Sequence, residues 1–246
     1  MIGERFGAQR VGGGLAAKPG AWGDLALTLP VFLTYQLGVV FLKVQNASDI
    51  VTGHLLELAH GDRALYLALT AFAGVAMVVV FSALGRGQVL HPSKLLQIAV
   101  EGAVYAFAMS VVTSWVVGKL FAAPSPRVVE GPFAGLVMAL GAGFYEELVF
   151  RAALFGLGGK FVVWLFARRT PWATLAPTIT IIVWAAVCAV TFSGAHYMGL
   201  YGDPFDVRSF VARGVLGLAL TLVYALRGFA AAVWTHALYD IWVLVF

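Results

Sequence analysis

The sequence predicts an all-α fold, a polytopic transmembrane helical bundle of about seven or eight spans, and three observations carry that prediction. Hydrophobic residues make up 61% of the 246, while charged residues make up 11%, against the ~25% of an ordinary soluble domain. Twelve acids and sixteen bases cannot cover a water-facing surface of this size, so lipid must face much of it. The apolar residues fall into long runs, and no stretch alternates in polarity as a barrel strand would.

Residues 1–23 read as a flexible basic N-terminal arm. They are glycine-rich, carry Arg5, Arg10 and Lys18, and lack the apolar core of a signal peptide. Residues 24–246 read as one transmembrane domain. The first span runs from about Leu25 to Leu42, the second from Ala64 to Leu84, and the third from Ile98 to Phe121. The fourth starts near Phe133 and stays apolar past Phe155; Gly156 to Phe166 continues it, lies on the membrane surface, or forms an eighth span. The fifth covers Leu175 to Phe192, with His196 at its end, and Ser209 to Leu226 and Phe229 to Phe246 complete the set. Each supplies the roughly 17–25 residues that a helix needs to cross ~30 Å of hydrocarbon.

With the N-terminus inside, the inner segments carry Arg5, Arg10, Lys18, Arg86, Lys94, Lys160, Arg168, Arg169 and Arg227, and the outer ones Lys43, Arg63, Lys119, Arg127 and Arg208. Basic residues concentrate on cytoplasmic segments, so the bias favours an N-inside, multi-pass protein, and the expected location is a bacterial cytoplasmic membrane. The net charge of +4 comes from these segments rather than from a basic stripe with interleaved aromatics, which excludes nucleic acid as a partner and leaves the lipid bilayer. The single cysteine, Cys188, lies between Val187 and Ala189 and reads as a packing residue.

An ionisable side chain inside a span costs ~2.5–3.5 kcal/mol on insertion scales, so it faces a polar cavity or has a partner. The spans contain Glu101, Glu146, Glu147, Arg151, His196, Arg213, His236 and Asp240. Glu101 and Arg213 fall near span ends, where a long side chain snorkels to the interface. Glu146, Glu147 and Arg151 lie deep in the fourth span. On a helix Glu147 and Arg151 are i,i+4 neighbours with the acid first, the favourable order for an ion pair, and Glu146 points about 100° away. Gly141 and Gly143 let another helix approach beside them. His236 and Asp240 share a face at i,i+4, as do Phe192 and His196. A fourth helix that reverses at Thr170-Pro171 places Glu146 and His196 at one depth.

Glu-Glu-x-x-x-Arg at 146–151, Phe-x-x-x-His at 192–196 and His-x-x-x-Asp at 236–240 resemble, in order, the three motifs of the CPBP family, the CAAX proteases and bacteriocin-processing enzymes also called Abi. The motifs lie within 133–246. The resemblance implies an intramembrane endopeptidase acting on a membrane-anchored peptide or protein. Glu146 and His196 would activate a water, His236 and Asp240 would stabilise the oxyanion or hold the site, and Arg151 would organise Glu147. The family's last motif often ends in Asn. Asp240 stands there instead, and an ionised carboxylate cannot donate a hydrogen bond, so it is protonated, orients His236 or binds metal. The stretch between Arg151 and His196 is longer than the family's usual one.

No cofactor is required on this reading. The nearest alternative is a zinc-dependent version of the same reaction, with Glu146, His196, His236 and Asp240 as ligands. A second alternative keeps the polar cluster for a non-catalytic scaffold, immunity or transport protein, since such clusters also relay protons.

Overall fold

The computed structural model describes residues 20–42, 44–46, 49–84, 92–121, 131–166, 176–198 and 202–245. The basic arm up to residue 19, the turn at Thr170-Pro171 and most of the loop cations lie outside the described residues. Within them the chain is helical: α1 (Ala21–Leu42), α2 (Ile50–Leu58), α3 (Arg63–Leu84), α4 (Pro92–Leu120), α5 (Pro132–Gly141), a π-helical segment (Ala142–Leu157), α6 (Gly158–Phe166), α7 (Ala176–Ala195), α8 (Val207–Arg227) and α9 (Phe229–Val245). Six helical stretches among the described residues are long and apolar enough to cross a membrane, and Phe229–Val245 is a seventh, shorter apolar helix.

The fourth span runs unbroken from Pro132 to Phe166. Gly156–Phe166 therefore continues the same helix rather than forming a separate one. Its middle, Ala142–Leu157, has the wider i→i+5 geometry rather than the α-helical one assumed from sequence. Such segments are rare and cluster at functional sites. The other addition is α2, capped by Asp49, whose carboxylate accepts from the Thr52 N–H at 2.8 Å.

The bundle is built around α9, which touches α1, α4, α5, the π segment and α8. A helix apolar on all sides belongs in the interior, and Ala230, Ala231, Ala232 and Val233 are fully buried. Small residues let backbones close up where lipid gives no hydrophobic drive for helix association. A Cβ at Gly143 would stand 2.8 Å from the Ala237 backbone nitrogen of α9, and one at Gly141 would overlap the Tyr35 ring of α1. Outward-facing Phe72, Phe107 and Trp115 present the lipid face of α3 and α4.

Polar ties link the helices far from the fourth span. Asp24 of α1 accepts from the Ala230 N–H at 3.0 Å and so caps α9 from across the bundle. Glu101 has a partner on another helix. Its carboxylate takes a fork of hydrogen bonds from Arg227 at 2.8–3.0 Å, joining α4 to α8. Arg213 likewise pairs with Asp203 and lies 5.3 Å above the Tyr197 ring.

Candidate active site

Three elements bring the six predicted polar residues together: the π segment supplies Glu146, Glu147 and Arg151, the end of α7 supplies His196, and α9 supplies His236 and Asp240. Glu147 and Arg151 form a completely buried pair, Nη1 to Oε1 at 2.8 Å. A pair withdrawn from water survives only when further hydrogen bonds and polar contacts complete it. Here they do. His236 Nδ1 lies 2.7 Å from the same Glu147 oxygen and donates to it, since a carboxylate only accepts. Arg151 Nη2 donates to the Gly217 carbonyl of α8 at 3.4 Å, and its guanidinium sits 4.2 Å over the Phe192 ring.

Glu146 has another environment. Its Oε1 accepts from the Asn46 side-chain amide at 3.3 Å. Its Oε2 receives no hydrogen bond from the described protein groups and faces two imidazoles, with His196 Nε2 at 3.7 Å and His236 Nε2 at 4.0 Å. His196 Nδ1 donates to the Phe192 carbonyl one turn back, at 2.8 Å, so in the neutral ring Nε2 carries the lone pair. The Asp203 N–H donates to the His196 carbonyl at 2.8 Å, anchoring the residue just past the end of α7. Phe192 packs edge-on against the rings of His196, His236 and Phe150, with centroids 5.0, 6.0 and 5.2 Å away, and so spaces the two histidines.

Asp240 Oδ2 lies 3.5 Å from His236 Nε2. Glu146 and His236 are almost completely buried, whereas the side chains of His196 and Asp240 retain 25% and 21% of their exposure, which marks the open side of the cluster. No three His, Cys, Asp or Glu side chains among the described residues form a set that would hold a metal ion.

Residues 129–242 match the family described as type II CAAX prenyl endopeptidase Rce1-like. The matched segment, just under half of the chain, is similar to that family and agrees with the resemblance carried by the three motifs. That family is one of CAAX proteases, which are peptide hydrolases, and all six clustered residues fall inside the matched segment. No curated protein and no solved structure matches the chain.

One contributor escaped the sequence reading. Asn46 lies outside the spans, in the connection from α1 to α2, and outside the matched segment, yet it is buried against Glu146. A search for ionisable groups passes over an uncharged amide. The amide and hydroxyl side chains of the neighbouring Gln36, Asn46 and Thr52, all buried, are the signal that an apolar-run scan discards.

Proposed function

We propose that this Rce1-like protease hydrolyses a peptide bond close to the point where its substrate is anchored in the membrane, using Glu146 and His196 to activate water. The observation that carries the reading is the 3.7 Å separation of Glu146 Oε2 from His196 Nε2. Both atoms are acceptors, so a hydrogen-bonding molecule between them must be a double donor. A water 2.6–3.2 Å from each, the ordinary reach of a catalytic base, fits. Both its hydrogens are then engaged and an oxygen lone pair is presented to a carbonyl.

As the water oxygen bonds to the carbonyl carbon, one proton passes to Glu146 Oε2 and the carbonyl π pair moves onto oxygen. When the tetrahedral intermediate collapses, the C–N bond breaks and Glu146 returns that proton to the departing amine. His236 holds Glu147 through Nδ1, and its Nε2 faces the carboxylates of Asp240 and Glu146. In this reading the ring carries a second proton, on Nε2, and that N–H donates a hydrogen bond to the oxyanion, with Asp240 keeping the ring aimed. The substrate class is a C-terminal peptide tethered by a prenyl-cysteine or another apolar anchor. The tether would lie in lipid while the scissile bond reaches the open side of the cluster.

The test uses detergent-purified protein and two fluorogenic quenched reporters, one a farnesyl-cysteine peptide with three residues beyond it and one a peptide anchored by an apolar helix. Glu146→Gln and His196→Gln are expected to lower kcat by about 10²–10⁴-fold each, the range for loss of general acid–base catalysis. Cleavage of neither reporter by the wild type, or equal cleavage by all three proteins, would overturn the reading.

A further inference from the structure

We propose that Asn46 is a positioning residue for the Glu146 carboxylate, so that the catalytic site is completed by the N-terminal helices outside the family-matched segment. The inference rests on the reading of Glu146 as the water-activating base. Its geometric basis is the Asn46 Nδ2 to Glu146 Oε1 hydrogen bond at 3.3 Å, with Asn46 only 6% exposed. A carboxylate with one donor on one oxygen is fixed in rotation about its last bond. Here that leaves Oε2, the oxygen without a protein donor, turned to the histidines.

The donor is itself held firmly. The Asn46 backbone N–H donates to the Tyr35 hydroxyl at 3.0 Å, and its carbonyl accepts from the Asp49 N–H at 3.0 Å. Tyr35, fully buried on α1, donates in turn to Asp49 Oδ2 at 2.7 Å, and Asp49 caps α2. A second tie reaches the residue beside Glu146. Gln36 Nε2 donates to the Tyr145 hydroxyl at 2.7 Å, while Gln36 Oε1 accepts from Tyr66 of α3 at 2.7 Å. The N-terminal helices therefore grip the catalytic turn at two neighbouring points, through the Tyr145 side chain and through the Glu146 carboxylate. Only the second touches the reacting group. Gly141 makes room for this corner, since a Cβ there would come within 3.0 Å of the Asn46 Cβ.

The experiment compares kcat and KM of wild type, Asn46→Ala, Asn46→Asp and Glu146→Gln on the farnesyl-cysteine and helix-anchored reporters, with thermal unfolding of each purified protein in the same detergent. Asn46→Asp keeps the size of the side chain but replaces the donor with an acceptor. A role in filling space would thus spare Asn46→Asp and harm Asn46→Ala, whereas a role in holding Glu146 gives the reverse order. Expected is a kcat about 10–100-fold lower in Asn46→Ala, the scale of misplacing a catalytic group by about 1 Å. Asn46→Asp is expected to be lower still, with KM within about twofold of wild type in both. Asn46→Ala with kcat within about twofold of wild type, or Asn46→Asp at least as active as Asn46→Ala, overturns the inference. If Asn46→Asp does not fold, the kcat and KM of Asn46→Ala decide alone, because a lost fold would lower the active fraction and the unfolding temperature with it. A wild type inactive on both reporters, or an active Glu146→Gln, instead refutes the assignment of Glu146 on which the inference rests.

Discussion

Substitution of Arg151 by Met tests the buried half of the site most directly. Arg151 is 1% exposed and Glu147 is fully buried, so the guanidinium sets a permanent positive charge against a carboxylate that water does not reach. Met keeps the length and apolar bulk of the stem but loses the ion pair at 2.8 Å, the hydrogen bond to Gly217 O at 3.4 Å and the face contact with Phe192 at 4.2 Å. Removing one member of a buried pair costs about 3–5 kcal/mol, because the other is left uncompensated. At roughly 2–4 °C per kcal/mol for a chain of this size, the unfolding temperature should fall by about 6–20 °C. The assay is thermal unfolding in detergent of Arg151→Met, Glu147→Gln and the double variant. The double variant removes both charges, while a Gln carbonyl at position 147 still accepts from His236 Nδ1. It should therefore regain at least about half of the stability lost in Arg151→Met, since replacing a whole buried pair is often nearly neutral. A single variant within about 2 °C of wild type, or a double variant that loses the sum of the two singles, would refute the argument that the pair is a closed electrostatic unit.

Other consequences can be read from the same geometry. Gly143→Val should abolish most cleavage, because its Cβ would lie 2.7–2.9 Å from Ala237 and push away the turn that carries His236. Gly194→Ala, which meets nothing within 4 Å on the same helix as Phe192, should leave kcat unchanged; equal effects would refute the packing argument. Glu101→Gln should lower stability by about 1.5–3 kcal/mol through loss of the charge-assisted bonds to Arg227, with kcat close to wild type; unchanged unfolding temperature would show that this tie between α4 and α8 contributes nothing. Incubation with a zinc chelator followed by dialysis should leave cleavage intact. Stoichiometric zinc lost together with activity, and restored with it, would replace the metal-free route by the zinc-dependent one.

The parts of this molecule legible in the sequence were those whose cost in lipid is high. Charges within apolar runs are expensive, so Glu146, Glu147, Arg151, His196, His236 and Asp240 stood out, and all six meet in one cluster. The i,i+4 spacing also separated the roles of the two glutamates, because it directs Glu147 to Arg151 whether the turn is α- or π-helical. Less legible was anything decided by distant pairing. Glu101 and Arg227 lie 126 residues apart, and each alone resembles a side chain reaching for the interface. The short helix α2 has too few residues to show a periodic pattern, and the π geometry of Ala142–Leu157 has no residue signature. Asn46 is uncharged and lies in a connection, so its contact with Glu146 emerges only once α1 is packed against the π segment.

Adjacent glutamates on one helix acquire opposite characters because the bundle treats their two directions differently. Toward Glu147 it sends Arg151 from the same helix and His236 from α9, with Phe192 and the Gly217 carbonyl completing the arginine, so that this carboxylate is spent on structure. Toward Glu146 it sends one amide donor and two imidazole nitrogens at 3.7 and 4.0 Å, distances too long for direct hydrogen bonds and suited to a small molecule between them. In lipid every unsatisfied polar atom is costly, and of the two glutamate oxygens without a protein donor, Glu146 Oε2 is the one beside the partly exposed His196, where water has reason to enter an otherwise apolar interior. The proposed chemistry is therefore assigned to Glu146 even though Glu147 is the more tightly bound of the two, and the hydrogen bond between Glu147 and His236 fixes that ring against the place where the proposed water would act.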